Sequence, residues 1–306
     1  MRSYVLTRCI EALVAVWGVL TIVFIAARLT GDPAILMLPT GASPTQIAEL
    51  RHELGLDRPL WDQYAIFIAD AVRGDFGVSF QHHKPALDVV LERFPATVRL
   101  ALSALVLGTA LGLGTGMIAA LKRGTMIEVA AMTLALLGQA TPVFWLGIVL
   151  ILVFAVQLQW LPAAGSETFA HLVLPATTLA LFISAAIARL LRSSMIEVLK
   201  EDYVRTAWAK GLAPHIVYLR HAARAALTSV LTMLGIITGE LLGGAVIVET
   251  IFSWPGVGRT VVQAIDVKDF TVVQAAVALV STVFVIVNLA VDLLYGVVDP
   301  RVRVER

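Results

Sequence analysis

The chain has 306 residues, 58% hydrophobic and 15% charged, far more apolar than a soluble domain, and it reads as an integral membrane protein. No basic run interleaved with aromatics points to nucleic acid, and the lone Cys9 excludes an internal disulfide or a thiolate metal cluster. Gly-x-x-x-x-Gly-Lys-Ser/Thr, His-Glu-x-x-His and Gly-x-Ser-x-Gly are all absent, so neither an ATP site nor a hydrolase site is expected in this chain.

Taken in order against the ~20 residues needed to cross hydrocarbon, the first apolar window predicts a helix over 9–28. It is long for a signal peptide and has no Ala-x-Ala site before Arg28; Arg2 and Arg8 place the N-terminus inside. Residues 30–95 carry five Lys or Arg (51, 58, 73, 84, 93) and nine acids (32, 49, 53, 57, 62, 70, 75, 88, 92), which predicts an extracytoplasmic segment. Pro44 opens a short helix that Gly55 ends, and Pro59 opens another running to about Val72, before Gly74. The segment is therefore a folded helical cap. His82 and His83, adjacent in sequence, read as a solvated pair rather than metal ligands.

The second span, 96–121, carries Gly108, Gly112 and Gly116 at intervals of four, with Gly114 between, a pattern for close helix packing. Residues 126–160 exceed one crossing and are divided by Pro142, giving an oblique half and a deeper half that ends at an interfacial Trp160. A fourth span, 171–192, descends into the basic loop 193–224. Between Arg189 and Arg224 this part of the chain holds seven Lys or Arg (189, 192, 200, 205, 210, 220, 224) against Glu197, Glu201 and Asp202, so it faces the cytosol. Here a helix is predicted from about Met195 to Lys210, capped by a left-handed Gly211, with Pro214 opening the next; Trp208 and Leu212 face outward.

The fifth span, 225–249, carries Gly235, Gly239 and Gly243, and Glu240 reads as the one acid deep in any span. A carboxylate at a helix centre costs about 2.5–3.5 kcal/mol on insertion scales, so Glu240 is expected to face water or a partner. Trp254, Pro255 and Gly256 predict a tight interfacial turn, either a plain reverse turn or a gate element. The sixth span, 270–293, leads to Asp299, Arg301, Arg303 and Arg306 inside. The expectation is an all-α, polytopic protein of six transmembrane helices, both termini cytoplasmic, forming a single transmembrane domain over 1–306.

Several stretches carry a resemblance. Asp202-Tyr-Val-Arg-Thr-Ala-Trp-Ala-Lys-Gly211 followed by Arg220-His-Ala-Ala-Arg224 resembles the cytoplasmic loop of bacterial ATP-binding cassette importer permeases, of the dipeptide, oligopeptide and nickel branch. Of the broad family's Glu-Ala-Ala, three residues, then Gly, only Ala207 and Gly211 match; Arg205 and Thr206 follow the peptide/nickel pattern, and Ser229 stands where that branch carries Pro. Gly31-Asp-Pro33, Leu54-Gly-Leu-Asp57, Gly74 to Phe80 and Glu249 to Arg259 are similar to the same branch. The resemblance implies an inner-membrane subunit forming half of a translocation path for peptides or nickel complexes. It also implies partners: a second, related permease, two cytosolic ATP-binding subunits that bind the ATP, and an extracytoplasmic binding protein. Arg205, Thr206, Ala207, Lys210, Gly211 and Leu212 would couple to the ATPase; Glu240, Trp254, Pro255 and Gly256 are candidates for the path or gate from their own residue types and places in the sequence, not from the resemblance. The competing class is a cation- or proton-coupled secondary transporter using Glu240.

Overall fold

The computed structural model describes residues 2–30, 34–35, 38, 42–53 and 55–298, without the side chains of 2–5, 30, 240, 242–244 and 291–298. Gly31 to Pro33, Leu54, the side chains of Glu240 and Asp292, the surroundings of Gly243, and the tail residues Asp299, Arg301, Arg303 and Arg306 singled out in the sequence thus lie outside what is described.

All regular elements among the described residues are helices, besides one isolated bridge from Val78 to Pro85. We number them α1 (Arg2–Thr30), α2 (Pro44–Glu53), α3 (Leu60–Val72), α4 (Ala86–Leu121), α5 (Met126–Ala140) and α6 (Val143–Leu150, continued by the π-helical Ile151–Gln157). After α7 (Phe169–Val198) and α8 (Asp202–Ala209) come α9, which joins Pro214–Ile216, π-helical Val217–Ala222 and Ala223–Ile251, then α10 (Val257–Asp266) and α11 (Phe270–Val298). Leu6–Leu29, Ala86–Leu121, Phe169–Val198, Pro214–Gly239 and Phe270–Ala290 are each long and apolar enough to cross a bilayer. α5 and α6 bend by 104° at Thr141 and Pro142; counting the pair as one span makes six. The bend follows from Pro142, whose missing N–H and fixed φ end α5 and start α6 as its N-cap.

The core is the pairing of α4 with α7, the most extensive in the molecule. Gly108, Gly112 and Gly116 permit it: a Cβ on Gly112 would lie 2.8 Å from the Ser184 carbonyl, and one on Gly116 2.7 Å from that of Ala188. Gly114, between them in sequence, faces open space. Leu100, Ile187, Leu191 and Met195 fill the seam, and α9 closes over it with Ala226, Val230 and Val248. α1 lies along α11 at one side.

Three boundaries differ from the sequence reading. α4 begins at Ala86, inside the expected 30–95 cap; its 36 residues span about 54 Å at 1.5 Å each, so one end projects beyond ~30 Å of hydrocarbon. Pro95 lies inside α4 without ending it, and the first turns rest against α10 and α11 through Val89 and Val90. The expected continuous helix from Met195 to Lys210 is broken: Lys200 and Glu201 donate to Glu197 and Val198 in tightened turns, and Glu201 turns extended. The break lets Val198 and Leu199 fold back onto α8. Finally, the 250–269 segment contains α10, and Trp254 is packed inside the protein: it is 2% exposed, with its indole N–H donating to the Ala96 carbonyl at 2.9 Å.

Candidate functional site

α8 is short and two-faced. Val204 and Ala207, three apart, turn inward and meet Val217 at the start of α9, with Val198, Leu199 and Leu212 packed around them. Burying a Val side chain contributes about 1.5–3 kcal/mol, enough for so small a cluster to hold an eight-residue helix that would not persist alone. The Trp208 ring meets Tyr218 edge-on, centroids 5.7 Å apart, which fastens α8 to the π-helical turn of α9. Desolvation raises the Tyr203 pKa, with a smaller push from Glu201. Gly211, φ +73°, ends the helix in the left-handed region, its Cβ position open, and Pro214 starts α9 at its first residue.

The expected coupling residues divide between the two faces. Arg205, Thr206, Lys210 and Gly211 are exposed together with Trp208, whereas Ala207 is 5% exposed and holds α8 from behind; Leu212 is half-buried. Arg205 pairs with Asp202 at 3.1 Å in full solvent, a contact of little energy, so its charge stays available. Near the same end of the bundle, Arg192 Nε donates to Glu128 Oε1 at 2.7 Å and Nη2 to the same oxygen, while Gly124 N–H donates to Oε2 at 2.6 Å. This pair, absent from the sequence reading, clips the α4–α5 turn onto α7.

At the opposite end Trp254, Pro255 and Gly256 form a packed joint. Glu249, 0% exposed, accepts from Thr97 Oγ1 at 2.6 Å and from the Arg259 N–H at 3.0 Å; Thr97 in turn accepts from the Val257 N–H at 2.8 Å. Gly256 and Gly258 give the carboxylate room, since a Cβ on Gly256 would collide with it. The Arg99 guanidinium lies 5.7 Å from the Trp254 ring centroid, and Arg259 donates to the Ser253 carbonyl at 2.6 Å. Nearby, buried Asp269 accepts from Ser79 Oγ at 2.6 Å and from Thr271, tying the Gly74 to Phe80 stretch to α11. Glu249 escaped the sequence reading because it sits at a span boundary, where a carboxylate ordinarily meets water. Between these two ends, Gln139, Val143, Phe182, Ala186, Ile237 and Leu241 are among the residues lining a cavity of about 480 Å³ beside the α5–α6 bend.

Comparison with known proteins agrees with this architecture. Residues 112–304 match the family model of the binding-protein-dependent transport system inner membrane component, and residues 1–101 match the N-terminal model of such membrane components. The chain is 40% identical over 304 residues, covering 99% of both chains, to the glutathione transport system permease protein GsiC of Escherichia coli strain K12 and equally to that of Shigella dysenteriae serotype 1. A crystal structure of an amino acid ABC transporter with histidines shares the fold at TM-score 0.51 and 17% identity, over 70% of this chain and 94% of that one. The chain thus belongs to the binding-protein-dependent inner-membrane permeases of ATP-binding cassette importers, which are transport subunits and not enzymes.

Proposed function

We propose that this permease carries small peptides, glutathione or a close relative among them, and that it receives the ATPase stroke through α8. Permeases of its family work with a partner permease, ATP-binding subunits and a substrate-binding protein. The observation that carries the cargo is full-length identity of 40% to permeases named for glutathione transport. Nickel complexes have no comparable support, and a secondary transporter built on Glu240 is set aside by the family membership. The coupling reading rests on the geometry of α8: its outer face offers Arg205, Thr206, Trp208, Lys210 and Gly211 to a protein partner, while Val204 and Ala207 tie it to α7 and α9. A push on α8 is thereby delivered to two spanning helices at once, the rigid-body mode by which packed helices switch. Path-lining residues are proposed around the α5–α6 bend, where Ile237 and Leu241 flank Glu240 in sequence. At the other end a gate would move as the whole Glu249 joint rather than as a flap at Trp254.

The test uses proteoliposomes holding this chain with its partner permease, ATP-binding subunits and binding protein. Gly211→Arg puts a bulky side chain on the exposed turn and strains a left-handed residue. Insertion is expected to be normal and binding-protein-stimulated ATP hydrolysis to fall to the basal rate; wild-type stimulation would remove α8 from the mechanism. In the same vesicles, binding protein loaded with glutathione or a short peptide should stimulate hydrolysis, and a nickel chelate should not. Stimulation by the chelate alone would overturn the cargo assignment.

A further inference from the structure

We propose that the capped end of the molecule holds a phospholipid whose headgroup carries both a phosphate and a primary ammonium, seated where α1, α3 and the start of α11 meet. Two cavities adjoin there. One, of about 390 Å³, is lined by the charges of Arg28, Lys268, Glu53, Asp70 and Asp75 and falls within the ~300–1,000 Å³ of small-ligand pockets. The other is an open groove of about 480 Å³ with an apolar wall from Ile25, Leu29, Leu60 and Trp61. Phe24 and Arg28 line both, so a chamber that carries charged groups lies directly beside an apolar groove.

The dividing wall is a built structure. The Arg28 guanidinium stacks on the Phe24 ring at 5.2 Å, Tyr64 meets that ring edge-on at 5.3 Å, and Thr21 Oγ1 shares a 2.6 Å hydrogen bond with Tyr64 Oη that fastens α3 to α1. Depth follows from the helices: Leu29 ends one candidate span, and Phe270, which also lines the chamber, begins another. The chamber therefore sits at the level of lipid headgroups and the groove opens toward the acyl chains. Leu29, Leu60 and Trp61 are 82%, 62% and 83% exposed, which fits a lipid-facing surface at that depth and an interfacial indole.

Charge selects the headgroup. Among the described residues two cations and three acids line the chamber, so a purely anionic headgroup would meet an excess of carboxylate. A headgroup with both charges uses both sets, its phosphate toward Arg28 and Lys268 and its ammonium toward Asp70, Asp75 or Glu53. A primary ammonium donates hydrogen bonds to carboxylates, and a quaternary one does not.

The test is native mass spectrometry of the full chain, extracted from nanodiscs of phosphatidylethanolamine, phosphatidylglycerol and phosphatidylcholine in equal parts. Phosphatidylethanolamine should be the lipid retained. Lys268→Asn, a replacement that tolerates the positive φ of that position, should lose most of it, and Asp70→Asn should shift retention toward phosphatidylglycerol. Trp61→Ser, at an exposed site that leaves the core intact, should weaken retention of every lipid. Equal retention of the three lipids, or the same pattern in wild type and variants, overturns the assignment. A second measurement separates lipid from protein: on a Cys9→Ser background, a Trp61→Cys thiol in the assembled transporter should react with a membrane-soluble maleimide. A thiol reactive in the isolated chain but shielded in the transporter would place a protein partner on the groove and also overturn it.

Discussion

Thr97 shows how much one side chain carries in this protein. Its hydroxyl donates to Glu249 and accepts from the Val257 N–H, joining α4, α9 and α10 with a single oxygen. Thr97→Val keeps the shape but leaves a buried N–H unpaired and takes a donor from Glu249, for an expected loss of about 1–3 kcal/mol. Thermal unfolding of the purified protein in detergent should show Val well below wild type and Ser close to it. Equal melting of the Val and Ser variants would mean that the bridge adds nothing to stability. Neither Thr97 nor Ala96 is marked in the sequence, because a threonine and a backbone carbonyl inside an apolar helix look like ordinary filler; their partners lie some 150 residues away, at separations of 152 and 158.

Helix packing is the scale at which the glycines act. The stripe of Gly108, Gly112 and Gly116 was legible because intervals of four put residues on one helix face. Which face met which helix was not, and Gly114 turned out to lie off the seam. Gly112→Val is expected to push α4 from α7, since its branches would enter the Ser184 carbonyl and Ile187, costing about 1–3 kcal/mol through overpacking. Gly114→Ala meets no atom within 4 Å and should be neutral or slightly stabilising. Comparing membrane yield and melting of the two variants checks this, and equal damage from both would contradict the packing assignment. α8 is the opposite case: its capping residues Gly211 and Pro214 were readable locally, but its separation from α7 was not, because Leu199 to Glu201 carry no Gly or Pro. That break is imposed by Val198 and Leu199 folding onto Val204 and Val217.

Across the whole molecule, α7 links the parts that must move together. It packs along α4 and leads into α8, and through Arg192 it grips Glu128 at the start of the bent α5–α6 pair. If that grip transmits the stroke, Glu128→Arg should lower the solute carried per ATP hydrolysed in the reconstituted transporter while hydrolysis continues. Adding Arg192→Glu should recover part of it. A double variant no better than either single change would reduce the pair to a local clip.

Membrane residence, the approximate spans, the break at Pro142 and the turn at Gly211 all follow from short-range rules: twenty apolar residues cross hydrocarbon, proline removes an N–H, and glycine alone enters the left-handed region freely. The stretches resembling importer permeases were equally local. Burial was beyond those rules. Trp254 reads as an interfacial aromatic and Ala207 as a docking residue, yet both face inward, because burial depends on which helix lies opposite. Glu249, at the end of a span where water would serve a carboxylate, is instead satisfied by a hydroxyl and a backbone N–H brought from elsewhere in the chain. Only the assembled helices bring those donors to it.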